Sequence, residues 1–384
     1  MSINTMRTIK AAVADGKGDF YITELTIGQP SADEVLVEIK AAGICHTDVD
    51  SVKVWQYPFV IGHEGAGIIS AIGENVTSVK VGDAVMLNWA IPCGMCFQCS
   101  QGAQHICEVN SPVTGDGTSG HAQAELTQLN GKAIKRSFHL GTMSEATIVK
   151  EGAVVKITAD NMPFSSAAIV GCGVMTGFGS VVNAAKLQTG STAVILGCGG
   201  VGLNVIQGCK IAGARRIIAV DVSPEKAQLA LSFGATDTVI APKNDKDFFQ
   251  VKTAVHKLLG HGADYAFECT AIAELGAAPL AMIRNGGTAI QASGIEQKVM
   301  FDCQLFEWDK IYLNPLYGQC NPKKDFAIIQ ELYCCGALKL DELVTKTYSL
   351  DGLSQGFDDL YQGKISKGVV LMDNVFKTVS DDKS

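Results

Sequence analysis

The stretch Thr192-Ala-Val-Ile-Leu-Gly-Cys-Gly-Gly-Val-Gly202 places an apolar strand candidate directly before a glycine turn. A helical pattern follows up to residue 212, and residues 217–220 form the next apolar strand candidate. Further strand candidates lie at residues 238–240, 265–268 and 288–291, with helix candidates such as 223–233 before them. This alternation is typical of a parallel sheet with crossover helices, so it predicts an α/β, doubly wound Rossmann domain.

The glycine turn itself has the spacing of a dinucleotide-binding fingerprint. Its glycines allow a tight turn, a close approach of the backbone to pyrophosphate and close packing of the helix. Asp221 ends the next strand candidate, nineteen residues after Gly202. A carboxylate there accepts a hydrogen bond from a ribose 2′-hydroxyl and repels a 2′-phosphate, which favours NAD over NADP; Lys226 is placed to donate to the same ribose. The residues expected to contact NAD here are Gly197, Gly199, Gly200, Val201, Gly202, Asp221 and Lys226.

Cysteine spacing indicates metal. Four cysteines in one short loop, with two, two and seven residues between them, suit the closed tetrahedral site of a structural Zn²⁺; they are Cys93, Cys96, Cys99 and Cys107. An isolated Cys45, His63 in a Gly-His-Glu triplet and a further distant cysteine suit an open, catalytic Zn²⁺. We therefore predict two zinc ions per subunit. The other cysteines are interpreted as packing residues: Cys198, Cys209, Cys269, Cys303, Cys320, Cys334 and Cys335.

Composition narrows the class of protein. The chain has 384 residues and 40.5 kDa, which is long enough for two domains, and 47% of its residues are hydrophobic. The formal net charge of −8 disfavours nucleic acid and anionic membranes as partners. Thirteen cysteines without a secretory signal pattern point to metal binding or catalysis in a reducing compartment, so a cytoplasmic location is expected.

The distribution of apolar, turn and charged residues along the chain also predicts the domain organisation. The early part alternates short apolar stretches with turn residues, as in a β-rich module, and the uncharged run at residues 161–185 reads as a buried glycine-rich segment, not as a membrane span. We expect a catalytic domain at residues 1–173, the cofactor domain at 174–318, and a return to the catalytic domain at 319–384.

Two motifs carry a family resemblance. Gly62-His63-Glu64-x2-Gly67-x5-Gly73-x2-Val76, preceded by Gly43-Ile-Cys45-His46-Thr47-Asp48 and followed by the four-cysteine loop, resembles the zinc-dependent medium-chain alcohol dehydrogenases over nearly the whole chain. The resemblance implies a GroES-like catalytic domain beside the Rossmann domain. It also implies that Cys45, His63 and Cys172 bind the catalytic zinc. A lone Cys172 in an apolar run would otherwise read as an inert buried thiol.

The resemblance assigns further roles near this zinc. Asp48 would bond the second nitrogen of His63, and Glu64 would be an outer partner or transient ligand. Thr47 would take the substrate proton, and His46 would contact the pyrophosphate. The family's relay often ends at a histidine three residues after Thr47, where this chain has Asp50, so the proton would leave through Asp50 or water.

Other implied contacts concern the cofactor and the substrate. Thr176 would contact the nicotinamide, Val201 would press on the back of that ring, and Lys367 would contact the pyrophosphate. Trp89, four residues before Cys93, falls where the family often places an aromatic beside the zinc. Trp55 lies in the short segment 51–60, and a pocket lined by such residues would suit apolar or aromatic alcohols.

Together these features predict an NAD-dependent zinc alcohol dehydrogenase. It would interconvert a primary, apolar or aromatic, or a secondary alcohol with its aldehyde or ketone, as a homodimer or homotetramer. One alternative is an S-(hydroxymethyl)glutathione (formaldehyde) dehydrogenase. Against it, residues 51–60 contain no carboxylate, and Ser111 stands where that branch has arginine. Two further alternatives, a non-catalytic binding or structural relative and a zinc-free quinone reductase, are disfavoured because all three zinc-ligand candidates are present.

Overall fold

The computed structural model describes residues 6–115, 126–245, 248–295 and 297–372. The chain divides into two compact units, one made of Met1–Cys172 with Asn321–Ser384 and the other of Gly173–Cys320. The predicted boundaries at 173 and 318 lie one and two residues from these positions. The cofactor unit is thus inserted between the two parts of the other unit.

Strands and helices are numbered in chain order. The strands are β1 Arg7–Ala14, β2 Phe20–Ile27, β3 Glu34–Ile44, β4 Phe59–Val60, β5 Ala66–Ile72, β6 Ala84–Leu87, β7 Thr127–Leu129, β8 Lys132–Ala133, β9 Lys135–Arg136, β10 Ala146–Lys150, β11 Val154–Lys156, β12 Thr192–Leu196, β13 Arg216–Asp221, β14 Asp237–Ile240, β15 Ala263–Glu268, β16 Ile283–Gln291, β17 Ile311–Leu313, β18 Val344–Ser349 and β19 Lys367–Leu371. The α-helices are α1 His46–Val54, α2 Phe97–Ser100, α3 Phe164–Ile169, α4 Met175–Gly179, α5 Gly200–Ile211, α6 Pro224–Phe233, α7 Phe249–Leu259, α8 Ala278–Met282, α9 Pro322–Cys334 and α10 Leu353–Tyr361.

The first unit is built on two sheets, with strand orders β8-β7-β2-β1-β4-β9 and β11-β6-β5-β3-β19-β18; β10 also pairs with β3. The long strand β3 pairs antiparallel with β5 along one edge and with β10 and β19 along the other. Eight of its eleven residues are apolar or glycine, and nine are buried, because sheet neighbours and packed helices cover it. Its carboxyl end leads directly to Cys45, so β3 positions the predicted metal site.

The second unit contains a parallel sheet in the order β14-β13-β12-β15-β16-β17. This is the strand order of a doubly wound Rossmann domain, so the predicted fold class is confirmed. The central strand β12 is buried along its whole length, as expected for a parallel strand covered on both faces. Its carboxyl end runs into the glycine turn and α5.

The uncharged run folds as a continuous helical stretch from Phe164 to Ala185, with π-helical turns at Val170–Val174 and Ser180–Ala185. Among the described residues it is the one helix long and apolar enough to cross a membrane, with a mean hydropathy of 1.5, but 78% of that window is buried within the protein. Core helices of soluble proteins satisfy the same criterion. The interpretation as a buried segment agrees with this burial.

One prediction about the cysteines is wrong in part. Cys303, Cys334 and Cys335 are exposed, so they do not pack in a core. Cys334 ends α9 and Cys335 follows it, beyond Gln330, the last buried residue of that helix. Cys198, Cys209 and Cys320 are buried as expected.

Candidate functional site

Three separate segments of the first unit bring four metal-binding side chains together. Cys45 precedes α1, His63 and Glu64 follow β4, and Cys172 lies in the π-helical turn Val170–Val174. One ligand atom from each lies within 4.8 Å of those of the others. The widened π turn is a feature often found at functional sites. The cluster therefore has the donors of a metal site, with a carboxylate beside the two sulfurs and the imidazole.

His63 is held in one orientation by Asp48. Its Nδ1 lies 2.8 Å from Asp48 Oδ1, and Asp48 Oδ2 accepts a hydrogen bond from the Cys45 backbone N–H at 3.0 Å. Both side chains are essentially inaccessible to solvent. Because Nδ1 is engaged, Nε2 is the nitrogen left to bind a metal, as in the common carboxylate–histidine–metal arrangement.

Electrostatics at the cluster follow from burial and close contact. A hydrogen bond from Cys172 is the main reason that the pKa of Cys45 falls well below its usual value, and the same contact raises the pKa of Cys172. Burial lowers the pKa of His63, but Asp48 outweighs burial, so the net pKa is raised well above the ordinary value. The site thus already favours a thiolate at Cys45, the form in which cysteine binds metals.

Glu64 forms a buried ion pair with Lys367 that joins the two parts of this unit. Lys367 Nζ lies 2.5 Å from Glu64 Oε1, and the two side chains are 7% and 0% exposed. Burial raises the pKa of Glu64 to about 7 although the ammonium opposes the shift. The sequence did not predict this pairing of Lys367 with the Glu64 carboxylate. Its predicted contact with pyrophosphate stays a prediction.

The donor set fits zinc. Two thiols and an imidazole nitrogen are the ligands of an open, catalytic zinc site. His63 Nε2 and Glu64 Oε2 are buried and make no hydrogen bond of ordinary geometry among the described residues. Buried polar atoms nearly always have a partner, so a metal ion within the cluster would satisfy the imidazole nitrogen. Cys45, His63 and Cys172 would hold the ion, with Glu64 beside them.

The four cysteines of the loop at residues 93–107 form a second cluster. Their sulfurs also lie within 4.8 Å of one another, with 4.0 Å from Cys93 to Cys99 and 3.9 Å from Cys96 to Cys107. Two sulfurs bound to one zinc at about 2.3 Å in tetrahedral geometry would lie about 3.8 Å apart. Hydrogen bonding by the Cys99 backbone N–H lowers the pKa of Cys96 to about 6, whereas burial raises the pKa of Cys99 to about 12. This closed set of four sulfurs fits a structural zinc.

The predicted proton-transfer residues lie on α1, directly after Cys45. The Thr47 hydroxyl oxygen is 3.7 Å from the Cys45 sulfur. His46 and Asp50 are exposed on the same helix, and partial burial of the Asp50 carboxyl raises its pKa. The helix therefore extends from the metal cluster to solvent, but the roles of these residues stay predictions.

An aromatic wall covers one side of the metal cluster. The Phe138 ring centroid lies 4.8 Å from that of His63, 5.5 Å from that of Trp89 and 6.0 Å from that of Trp55. We call Trp55, Trp89 and Phe138 the aromatic wall. Sequence reasoning found the two tryptophans and missed Phe138, which lies in a short helical turn with positive φ at both Phe138 and His139. No periodic pattern marks such a turn, so no sequence signal pointed to it.

The glycine turn of the cofactor unit has the geometry to hold a dinucleotide. A Cβ at Gly202 would stand 1.9 Å from the Gly197 carbonyl oxygen, so only glycine permits this approach of the helix to the strand. A Cβ at Gly199, by contrast, would meet nothing within 4 Å, which leaves an open cradle beside the first turn of α5. Gly200, Val201 and Gly202 form that first turn, and its N–H groups suit the pyrophosphate. Thr176 is half-buried within α4.

Asp221 ends β13 beside this turn. Its Oδ2 accepts a hydrogen bond from the Cys198 backbone N–H at 2.8 Å, and its Oδ1 accepts one from the Ser223 N–H at 2.9 Å. Lys226 lies in the first turn of α6, which Ser223 caps. The carboxylate therefore steadies the glycine turn and keeps lone pairs for a ribose hydroxyl.

We expect the Asp221→Gly variant to have a ratio of kcat/KM with NAD⁺ to kcat/KM with NADP⁺ that is at least about tenfold lower, because the carboxylate that repels a 2′-phosphate is gone. Steady-state kinetics with both cofactors measure this ratio. Asp221→Asn is the matched comparison, since its amide oxygen still accepts a backbone hydrogen bond while the charge is removed. The ratio should fall in this variant too, because the charge is what repels the 2′-phosphate. An unchanged ratio in both variants would show that another residue sets the preference.

Comparisons with known proteins agree with this geometry. The model of the alcohol dehydrogenase GroES-like domain matches residues 31–159, and that of the zinc-binding dehydrogenase domain matches residues 200–314. The putative alcohol dehydrogenase D of Mycobacterium tuberculosis is 36% identical over 95% of this chain and 100% of its own length. The S-(hydroxymethyl)glutathione dehydrogenase of Paracoccus denitrificans is 34% identical over 95% and 100%.

A solved structure resembles the chain over a similar span. The crystal structure of benzyl alcohol dehydrogenase from Acinetobacter calcoaceticus has a TM-score of 0.83 and 30% identity, and the match covers 95% of this chain and 99% of that one. Family models, relatives and the two cysteine-containing clusters together confirm the predicted family, fold, cofactors and enzyme class. The chain belongs to the zinc-dependent medium-chain alcohol dehydrogenases, oxidoreductases that use NAD and zinc.

Proposed function

We propose that this enzyme oxidises primary alcohols with an apolar or aromatic side chain to aldehydes, reversibly, with NAD⁺ as the hydride acceptor. The observation that carries the proposal is the packing of Phe138 on the His63 ring, at 4.8 Å between centroids. A ring in this place puts an apolar surface directly beside the metal ligands. Apolar surfaces with a few placed polar groups are typical of small-molecule sites.

The rest of the aromatic wall supports the same substrate class. Trp89 is 5% exposed and meets Phe138 edge to face, while Trp55 lies 6.0 Å from Phe138 and also packs on Phe59 at 4.8 Å. Such aromatic pairs are favourable beyond the area they bury, so these contacts stabilise the wall. A benzylic or other flat apolar group would stack on it while its hydroxyl reached the metal ligands.

In the proposed reaction the alcohol loses a hydride to NAD⁺ and a proton to the enzyme. When bound, zinc supplies a Lewis acid for the alcohol oxygen, and NAD⁺ accepts the hydride. The Thr47 hydroxyl, next to Cys45, accepts the proton as it passes its own onward. Asp50, three residues later on α1 and exposed, passes it to water; a carboxyl with a raised pKa suits that transfer. Asp48 keeps His63 in the tautomer that leaves Nε2 for zinc.

Oxidation of S-(hydroxymethyl)glutathione is the rival, because one 34% identical relative carries that name. Two observations weigh against it here. Residues 51–60 contain no carboxylate. The Ser111 hydroxyl is buried and accepts hydrogen bonds from the Val113 and Thr114 backbone N–H groups at 3.2 and 3.1 Å, so it shapes a turn instead of facing a substrate.

A substrate panel with one variant tests the proposal. We expect kcat/KM for benzyl alcohol to exceed that for ethanol and for the glutathione adduct of formaldehyde. Phe138→Leu should lower kcat/KM for benzyl alcohol about tenfold and that for ethanol about twofold, since only the aromatic substrate loses a stacking partner.

Phe20→Leu is the matched control for this variant, because the Phe20 ring packs on Phe357 at 5.3 Å in a different aromatic pair. It should leave the ratio of the two alcohols unchanged. A panel led by the glutathione adduct would replace the proposal with its rival. An equal loss for both alcohols in Phe138→Leu would reduce the aromatic wall to a packing role.

We also propose that the chain forms a homo-oligomer through the cofactor unit and works in the cytoplasm. Strand β17 is the last strand of the parallel sheet, and Ile311 within it and Trp308 just before it are 52% and 65% exposed. An apolar sheet edge is a usual place for two copies to pair.

A further inference from the structure

Glu268 is a buried carboxylate at the carboxyl end of β15, outside the roles assigned so far. It is 0% exposed. Its Oε1 accepts hydrogen bonds from the Thr270 backbone N–H and hydroxyl, each at 2.5 Å, and from the Ala271 N–H at 3.1 Å. The Ser293 hydroxyl donates to Oε2. A buried charge with so many donors organises the segments that supply them.

The position of Glu268 mirrors that of Asp221. In the parallel sheet, Leu196 at the end of β12 lies beside Val220 on one side and beside Glu268 on the other. Asp221 directly follows Val220. The two carboxylates therefore flank the strand that runs into the glycine turn. In open α/β sheets this carboxyl edge is where the ligand binds.

The segment held by Glu268 packs directly against the glycine turn. The Cys269 N–H donates to the Leu196 carbonyl at 2.9 Å. Gly197 has a φ of +93°, and a Cβ there would stand 2.7 Å from the Thr270 methyl carbon and 3.2 Å from the Cys269 carbonyl carbon. Thr270 thus turns its hydroxyl to Glu268 and its methyl to the turn. Displacement of Thr270 would change the space in which Gly197 bends.

Glu268 also fixes a left-handed residue and a second loop. Ala271 has a φ of +61°, a conformation that alanine avoids, and its N–H is shared between Glu268 Oε1 and the Ser293 hydroxyl oxygen at 3.0 Å. The Ala292 and Ser293 N–H groups donate to the Glu268 carbonyl at 2.9 and 3.2 Å. One residue therefore joins the loops that follow β15 and β16.

We propose that Glu268 is a positioning residue for NAD: it fixes the loops at residues 269–271 and 291–293 and so holds the wall of the glycine turn in its binding conformation. Without it, the cofactor would bind to a turn that must first be ordered, and affinity falls by the cost of that ordering. The chemical step itself does not use this side chain.

The test measures NADH affinity by fluorescence titration of the whole enzyme. We expect Glu268→Ala to raise the Kd for NADH about tenfold or more, because several hydrogen bonds to a charged group are lost. At saturating NAD⁺, kcat should stay within about threefold of wild type, since only positioning is affected. Glu268→Gln, which keeps an acceptor for Thr270 and a group that bonds Ser293, should restore the Kd to within about twofold of wild type.

Asp264 provides a matched control on the same strand. It lies at the opposite end of β15, where its Oδ2 accepts hydrogen bonds from the Thr192 N–H at 2.8 Å and the Thr192 hydroxyl at 2.9 Å. Asp264→Ala should lower the Tm of the cofactor-free enzyme yet keep the NADH Kd within about twofold of wild type, because this end of the sheet is away from the ligand edge.

Two results would overturn the proposal: an unchanged NADH Kd in Glu268→Ala, or an equal rise in Asp264→Ala. If Glu268→Ala is insoluble, Ser293→Ala decides, since it removes one hydroxyl between the two loops. A rise of about threefold in its NADH Kd supports the positioning role, and a wild-type Kd rejects it.

Discussion

Replacement of Cys172 by serine is expected to lower alcohol oxidation at least about a thousandfold and to remove one of two zinc ions per subunit. Cys172 contributes one of the sulfurs of the first cluster, within 4.8 Å of Cys45, His63 and Glu64. Serine offers a neutral hydroxyl where zinc needs a thiolate, so the ion is lost or held weakly. Zinc analysis of the purified protein and steady-state kinetics measure the two effects.

Cys209→Ser is the control for this variant. Cys209 is also a free cysteine and is buried, but it lies within α5, outside both clusters. It should retain two zinc ions. The Tm of Cys172→Ser should fall by only a few degrees, since the four-cysteine loop keeps its own metal. Full zinc content together with wild-type turnover in Cys172→Ser would refute the ligand role taken from the family resemblance.

The four-cysteine loop is expected to show the opposite pattern. In Cys107→Ser, one zinc per subunit should be lost and the Tm should fall by about 10 °C or more, because binding energy at a structural zinc is folding energy. Cys107 is completely buried, and its sulfur accepts hydrogen bonds from the Cys93 and Asn110 N–H groups at 3.4 and 3.3 Å. Differential scanning fluorimetry and zinc analysis measure both changes.

The protein that remains folded should keep most of its turnover at low temperature, because Cys45, His63 and Cys172 are untouched. Cys334→Ser is the control, since Cys334 is exposed and belongs to neither cluster. An unchanged Tm in Cys107→Ser would contradict a structural role for this zinc. A thousandfold loss of turnover without a loss of stability would instead assign catalysis to the loop.

Sequence analysis predicted both metal sites, but on different grounds. The closed loop was identifiable from spacing alone, because four sulfurs within fifteen residues have few ways to satisfy themselves other than one metal. The open site was not, since its donors come from residues 45, 63 and 172. Only the family resemblance selected Cys172, and the structure brings its sulfur within 4.8 Å of the donor atoms of Cys45 and His63.

Contacts between distant segments lay beyond sequence reasoning. Glu64 and Lys367 are 303 residues apart, and they meet because β19 pairs with β3 at the strand end that precedes Cys45. Phe138 reaches His63 through a turn with two left-handed residues in succession. Neither the register of a sheet nor the path of such a turn has a periodic signature.

The sequence by itself determined the main strands and helices of the cofactor unit, the glycine turn, the acidic residue that follows it and the four-cysteine loop, because each depends on spacing within one short segment. Tertiary structure decided which side chains surround the open metal site, how Glu64 is paired, and that Glu268 lies opposite Asp221 across the glycine turn. The physical reason is the same in each case. Local geometry follows from neighbouring residues, whereas contacts across a sheet or between loops follow from how whole strands pair and pack.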